Sequence, residues 1–176
     1  MRGLDDPAPA WRVSVGCSVD GRRFDRLKLD VVAQFAEVAE ALEPLVIASP
    51  VPFAGFAPVT VAAVDVYQHA AEKLHAMSRV YAHDLPSSRV KDLVDLALLI
   101  EAGLLVNERA LRRRLIVVHE HRDGSLPPED LPDPPAAWSA GYDRLVEDLD
   151  LSVRTAGDAF ARVRALYLSA LSEGRA

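Results

Sequence analysis

Two short runs concentrate the groups that could do chemistry. The first is His69-Ala70-Ala71-Glu72-Lys73-Leu74-His75-Ala76 and the second is Arg89-Val90-Lys91-Asp92-Leu93-Val94-Asp95-Leu96. On a helix, Lys91 and Asp95 are four residues apart and Arg89 and Asp92 three apart, so each pair shares a face. Charges within such apolar runs cost free energy unless paired. Ion pairing is one use for them, and spacing alone favours two solvated pairs. The other use is to meet phosphate, for which a compact ammonium and a guanidinium are suited differently. Only three of the 20 basic residues are lysines, Lys28, Lys73 and Lys91, and two of the three fall in these runs.

Other polar groupings are weaker. His69 and His75 are six apart and lie on different faces of a helix, which disfavours a zinc site built on that run. His119-Glu120-His121 reads as solvent-exposed. Arg109, Arg112, Arg113 and Arg114, with His119, His121 and Arg122 beyond them, form a basic cluster that could touch RNA phosphates; a solvated helix face explains it as well. The sequence holds no nucleophile-elbow, Walker or dinucleotide-binding pattern.

The elements that would position these residues follow from periodicity. Residues 11–32 predict a hairpin: Val13, Val15 and Cys17 share one face, and Asp20-Gly21 suits a type I′ turn. On the return strand Leu27, Leu29 and Val31 share a face, and Lys28 and Asp30 project from the other. Leu45–Ser49 and Val59–Val64 are two further strand candidates, separated by a proline-broken loop. From Asp65 the period becomes helical. Asp65 with Gln68 suggests a cap for a helix reaching Val80 or Tyr81. Ser87 or Ser88 can cap a helix from Arg89 to Ala102, stopped by Gly103, and Asn107 can cap a third. A Pro-rich acidic loop covers 123–135, and Pro134 or Pro135 opens a helix through Trp138 and Tyr142. Ser152 is the expected cap of a last helix burying Phe160, Val163, Leu166, Tyr167 and Leu171. The fold class is α+β: a small antiparallel or mixed sheet, then a helical C-terminal region. The expected division is a β region at 11–64 and a helical region at 65–176.

The bulk properties set outer limits. A chain of 176 residues can bury a core, and a net charge of −6 gives no general attraction for nucleic acid. The single cysteine, Cys17, fits a reducing compartment. Residues 1–10 carry no apolar signal segment and no run spans a bilayer, so a cytoplasmic location without membrane contact is expected.

The "AEKLHA" run followed by "R-x-K-D-x-x-D-L" resembles the C-terminal signature of the AbiEii/AbiGii nucleotidyltransferase toxins. Leu29-Asp30-Val31 is similar to that family's strand ending in an acidic residue. Phe53-Ala54-Gly55-Phe56 and the stretch from Leu131 to Pro135 with Trp138 resemble later segments. The likeness runs from about Arg12 to about Leu171. It implies a partial polymerase-β-type nucleotidyltransferase fold. The implied activity is transfer of a nucleotide from an NTP to an RNA acceptor, tRNA among them, with Mg²⁺. The setting would be a toxin–antitoxin or phage-defence (abortive infection) system with a cognate antitoxin.

By the same resemblance Asp30 matches the third metal-binding carboxylate. Lys73 matches a helix lysine near the nucleotide phosphates. Lys91 and Asp95 join them as catalytic candidates, with Arg89 and Asp92 as substrate-binding residues, all expected to line one cleft. The family's Gly-Ser turn and Asp-x-Asp pair belong ahead of the hairpin. Gly16-Cys17-Ser18, Gly124-Ser125 and Asp148-Leu149-Asp150 lack the required context. One carboxylate cannot hold two Mg²⁺ ions, so the chain by itself is expected to be an incomplete, inactive homologue. A non-catalytic module binding an antitoxin, RNA or a separately encoded half is the alternative.

Overall fold

A computed structural model describes residues 10–32, 42–79 and 89–173. The chain divides into two units, residues 1–40 and 41–176. The α+β class holds, with two two-stranded antiparallel sheets and five helices among the described residues.

The first unit contains one hairpin, β1 (Ala10–Val19) against β2 (Arg22–Val32). Its turn residues Asp20 and Gly21 have φ of 50° and 72°, the left-handed conformation that a type I′ turn demands of both central positions. The register sets Trp11 opposite Val31, Val13 opposite Leu29 and Val15 opposite Leu27. These six side chains therefore share one face. Arg12 opposite Asp30 and Ser14 opposite Lys28 share the other.

The second unit opens with another hairpin, β3 (Leu42–Ile47) against β4 (Val59–Val64), which begins three residues before the expected strand. The intervening loop turns through a 3₁₀ segment at Pro52–Ala54 and closes on Gly55 at φ 78°.

Five helices carry the core: α1 (Val66–Ser78), α2 (Val90–Glu101), α3 (Glu108–Asp123), α4 (Trp138–Val146) and α5 (Ala156–Ser172). Among the described residues none of these is long and apolar enough to cross a membrane. α1 packs on α2 and α3, and α5 packs on α2, α3 and α4. Leu74, Leu93, Leu96, Leu111, Leu115, Tyr142 and Tyr167 are fully buried between them. The two tyrosines satisfy their hydroxyls inside the core, Tyr142 donating to the Val153 carbonyl at 3.0 Å and Tyr167 to the Pro128 carbonyl at 2.6 Å.

The helix starts test the reading of caps. Asp65 accepts from the backbone N–H groups of Tyr67 and Gln68, and Asn107 accepts from Ala110, as their side-chain types lead one to expect. α1 ends at Ser78, before Val80 and Tyr81, which lie outside the described residues, as do Ser87 and Ser88. The cap of α5 is Thr155, whose hydroxyl accepts from the N–H of Asp158, and the expected cap Ser152 is engaged elsewhere. Its backbone N–H and hydroxyl both donate to the Glu101 carboxylate at the end of α2, at 2.9 and 2.6 Å.

Candidate functional site

Lys73 sits on α1 where that helix crosses α2. Its neighbours Ala70, Ala71 and Leu74 are fully buried, so the alkyl stem runs along the helix interface and carries the ammonium toward α2. There the ammonium donates to Asp92 Oδ1 at 3.0 Å and to Asp95 Oδ2 at 2.6 Å. Lys73 and Asp92 are each only 13% exposed at the side chain, whereas Asp95 is 48% exposed. Arg89 approaches the second oxygen of Asp92 at 3.6 Å. The four groups form a neutral, half-buried cluster. Burial alone would pull the Lys73 pKa down, but hydrogen bonds from Asp95 and Asp92 and their charges outweigh it, and the net shift is upward. Lys73 is therefore a fixed cation across the working pH range, with one ammonium hydrogen left over.

Asp95 thus turns to Lys73, not to Lys91 as helical spacing suggested. Intrahelical spacing offers Asp95 an exposed partner one turn away; the neighbouring helix offers one with far less solvent around it, where attraction is stronger. Lys91 is exposed and has no ion pair among the described residues. The Arg89–Asp92 proximity expected from spacing is present.

Asp30 belongs to the first unit. Its two carboxylate oxygens are both taken by Arg12, directly across the hairpin, at 2.6 and 2.8 Å. The Arg12 hydrogen bonds hold its carboxyl below the usual range. A two-metal Mg²⁺ centre needs several converging carboxylates. Asp30 is engaged by an arginine, and among the described residues of the first unit no group of three metal-type ligands forms around it. Asp30 by itself does not make that metal centre.

The face of α1 toward α3 carries a second polar seam. Arg114 meets the Asp65 cap at 2.8 Å, and Arg122 reaches Glu72 at 3.5 Å. Two members of the basic cluster are thereby bound to acids, one at the cap of α1 and one within it. His119 is not exposed as expected but 97% buried, and His75 is 99% buried. The sequence signal for them was present but subtle: His119 and Asp123 are four apart on one face of α3.

The family model for the nucleotidyl transferase AbiEii toxin of type IV toxin–antitoxin systems matches residues 2–167. The chain belongs to the AbiEii toxin family. None of the curated proteins matches it significantly. Membership makes the chain a relative of toxins of the nucleotidyltransferase kind, whose systems include an antitoxin counterpart. It covers both hairpins and all but the end of α5, so the Lys73 cluster and Asp30 both lie within the AbiEii match.

Proposed function

We propose that this chain supplies part of the centre of an AbiEii-type nucleotidyltransferase, one that transfers a nucleotide from an NTP to an RNA acceptor, with Mg²⁺, in phage defence. Asp30, Lys73, Lys91 and Asp95 would be its catalytic contribution, and Arg89 and Asp92 would help position substrate. The Lys73 cluster carries this reading. Three charged side chains at a helix interface add little net stability compared with an apolar packing of the same volume. Their arrangement does fix an ammonium with a spare donor beside a guanidinium, as phosphate recognition requires. The sequence contains no Gly-Ser turn followed by an Asp-x-Asp pair in strand context, and Asp30 is paired with Arg12. The metal-binding acids other than Asp30 would therefore be supplied by another segment or polypeptide, and the chain alone would not turn over.

The test is incorporation of labelled ATP, CTP, GTP or UTP into tRNA in the presence of Mg²⁺. The chain alone should give none. Addition of a polypeptide carrying the Gly-Ser and Asp-x-Asp segment should restore incorporation, and Lys73→Ala should lower the restored rate about 100-fold, the scale of losing one aimed donor. Turnover by the chain alone would contradict the missing acids. Restored activity indifferent to Lys73→Ala would remove Lys73 from the site.

A second reading, a non-catalytic module that binds the antitoxin, RNA or a separate half, is favoured by the exposed apolar face of the β1–β2 hairpin. Stable capture of a partner with no incorporation under any combination would select it.

A further inference from the structure

We propose that His75, His119 and Asp123 form a binding site for a zinc-type dication that clamps the C-terminal ends of α1 and α3. The site is separate from the Lys73 cluster and does not depend on nucleotidyl transfer.

The helices bring the three residues together because they lie side by side and point the same way. At one end the Asn107 N–H that precedes α3 donates to the Tyr67 hydroxyl at 3.2 Å. At the other, His75 in the last turn of α1 meets Asp123 in the last turn of α3. His119 and Asp123 share a face of α3, and the two imidazoles meet edge to face with centroids 4.8 Å apart.

Distances fit a metal. His75 Nε2 and His119 Nδ1 are 2.8 and 3.8 Å from the same oxygen, Asp123 Oδ2. One donor atom from each of the three residues can be chosen so that all lie within 4.8 Å of one another. Metal bonds of about 2.0–2.1 Å in a tetrahedron put neighbouring ligands ~3.3 Å apart, so the donors furthest apart must close by up to about 1.5 Å, shared between the two side-chain ends.

The donor chemistry selects the ion. Two imidazoles and one carboxylate suit zinc, or copper and nickel near it in preference. They do not suit Mg²⁺ or Ca²⁺, which take oxygen shells. Asp123 is 31% exposed at its side chain while both histidines are buried, so the fourth position opens on the Asp123 side, where a water can complete it.

The surroundings are electrostatically mixed. Two helix C-termini converge there, and each presents partial negative charge that favours a cation. Arg122 and Arg79 face His75 and oppose it, although Arg122 is drawn to Glu72. Among the described residues, the remaining nitrogen of each ring, Nδ1 of His75 and Nε2 of His119, is buried with no hydrogen-bond partner. Zinc-binding histidines usually anchor that nitrogen, and losing the anchor weakens binding about 10- to 100-fold. The expected affinity is therefore micromolar, short of the tight range of structural zinc sites.

The experiment is calorimetric titration of the chelator-treated full chain with ZnCl₂, with thermal unfolding in parallel. The expected result is one equivalent bound, a raised unfolding midpoint, and at least a tenfold affinity loss in His119→Asn and Asp123→Asn. His69→Ala, at an exposed position, should bind like the wild type. X-ray absorption on the zinc-loaded wild type reads two imidazoles directly and needs no variant to fold. No saturable binding, binding unchanged by His119→Asn and Asp123→Asn, or absorption spectra without two imidazoles would each overturn the site.

Discussion

Two residues show most directly how burial sets the consequences of charge. Lys73 neutralises two aspartates of unequal exposure, 13% for Asp92 and 48% for Asp95. Removing the ammonium by Lys73→Met leaves both carboxylates facing each other, with Arg89 the nearest remaining cation. Breaking a buried pair costs about 3–5 kcal/mol; solvent at Asp95 screens part of that, so a loss of roughly 2 kcal/mol is expected in urea unfolding at pH 7. Asp92→Asn should cost more than Asp95→Asn, and Lys91→Ala, at an exposed position, should stay within about 0.5 kcal/mol. An equal effect of Lys73→Met and Lys91→Ala would show the cluster to be unimportant for packing.

His119 gives the second case. Burial, then repulsion from His75, push its pKa down to about 4 against the pull of Asp123. Burial likewise lowers His75, with Arg122 and Arg79 adding to it and Asp123 opposing. Both rings fold neutral, while the unfolded chain takes up protons near pH 6.5. From about pH 6.5 down to about 4 the unfolded state binds more protons, so stability is full above that window and falls through it. For His119 the loss reaches at most about 3 kcal/mol. Urea unfolding of metal-free protein at pH 7.5 and 4.5 measures it, and His119→Leu should show a smaller drop than the wild type.

At the scale of elements, legibility followed the range of the interaction. Asp65 and Asn107 were readable as caps because a cap is a local bond between a side chain and an N–H two or three residues on. The Asp20-Gly21 turn was readable for the same reason. Ser152 misled because Glu101, about fifty residues earlier in sequence, takes its N–H and hydroxyl, and a single sequence carries no sign of that contact. Asp95 misled in the same way, since its stronger partner lies on another helix. The pairing of His75 with His119 was not readable, because spacing reports neighbours within one helix and their grouping is made by α1 packing on α3. Nothing local announces which helices will be neighbours. The cap assignment is itself measurable. Thr155→Ala should destabilise by about 1 kcal/mol by freeing the Asp158 N–H. Ser152→Ala keeps its backbone donor to Glu101 and should cost less. The reverse order would restore Ser152 as the helix start.

At the scale of the molecule, the first unit poses a packing problem. Among its described residues none is buried, and only Cys17 is even partly covered. A lone two-stranded hairpin is marginal in water. This one carries Trp11, Val13, Val15, Leu27, Leu29 and Val31 together on one face, each between 38% and 55% exposed. Six large apolar side chains in one contiguous sheet face exceed the scattered exposure that soluble surfaces tolerate, and among the described residues neither outer strand edge is paired. The isolated chain should therefore associate with itself as concentration rises, and light scattering should show a growing weight-average mass. The face can be dismantled without dismantling the hairpin. Val13 and Leu29 are direct cross-strand partners, so Val13→Lys with Leu29→Glu replaces an apolar pair by an attractive charged one worth a few tenths of a kcal/mol. The strands stay paired while the face is split in two. The double variant should remain monomeric where the wild type does not. A wild type that is monodisperse and monomeric at high concentration would refute self-association through this face.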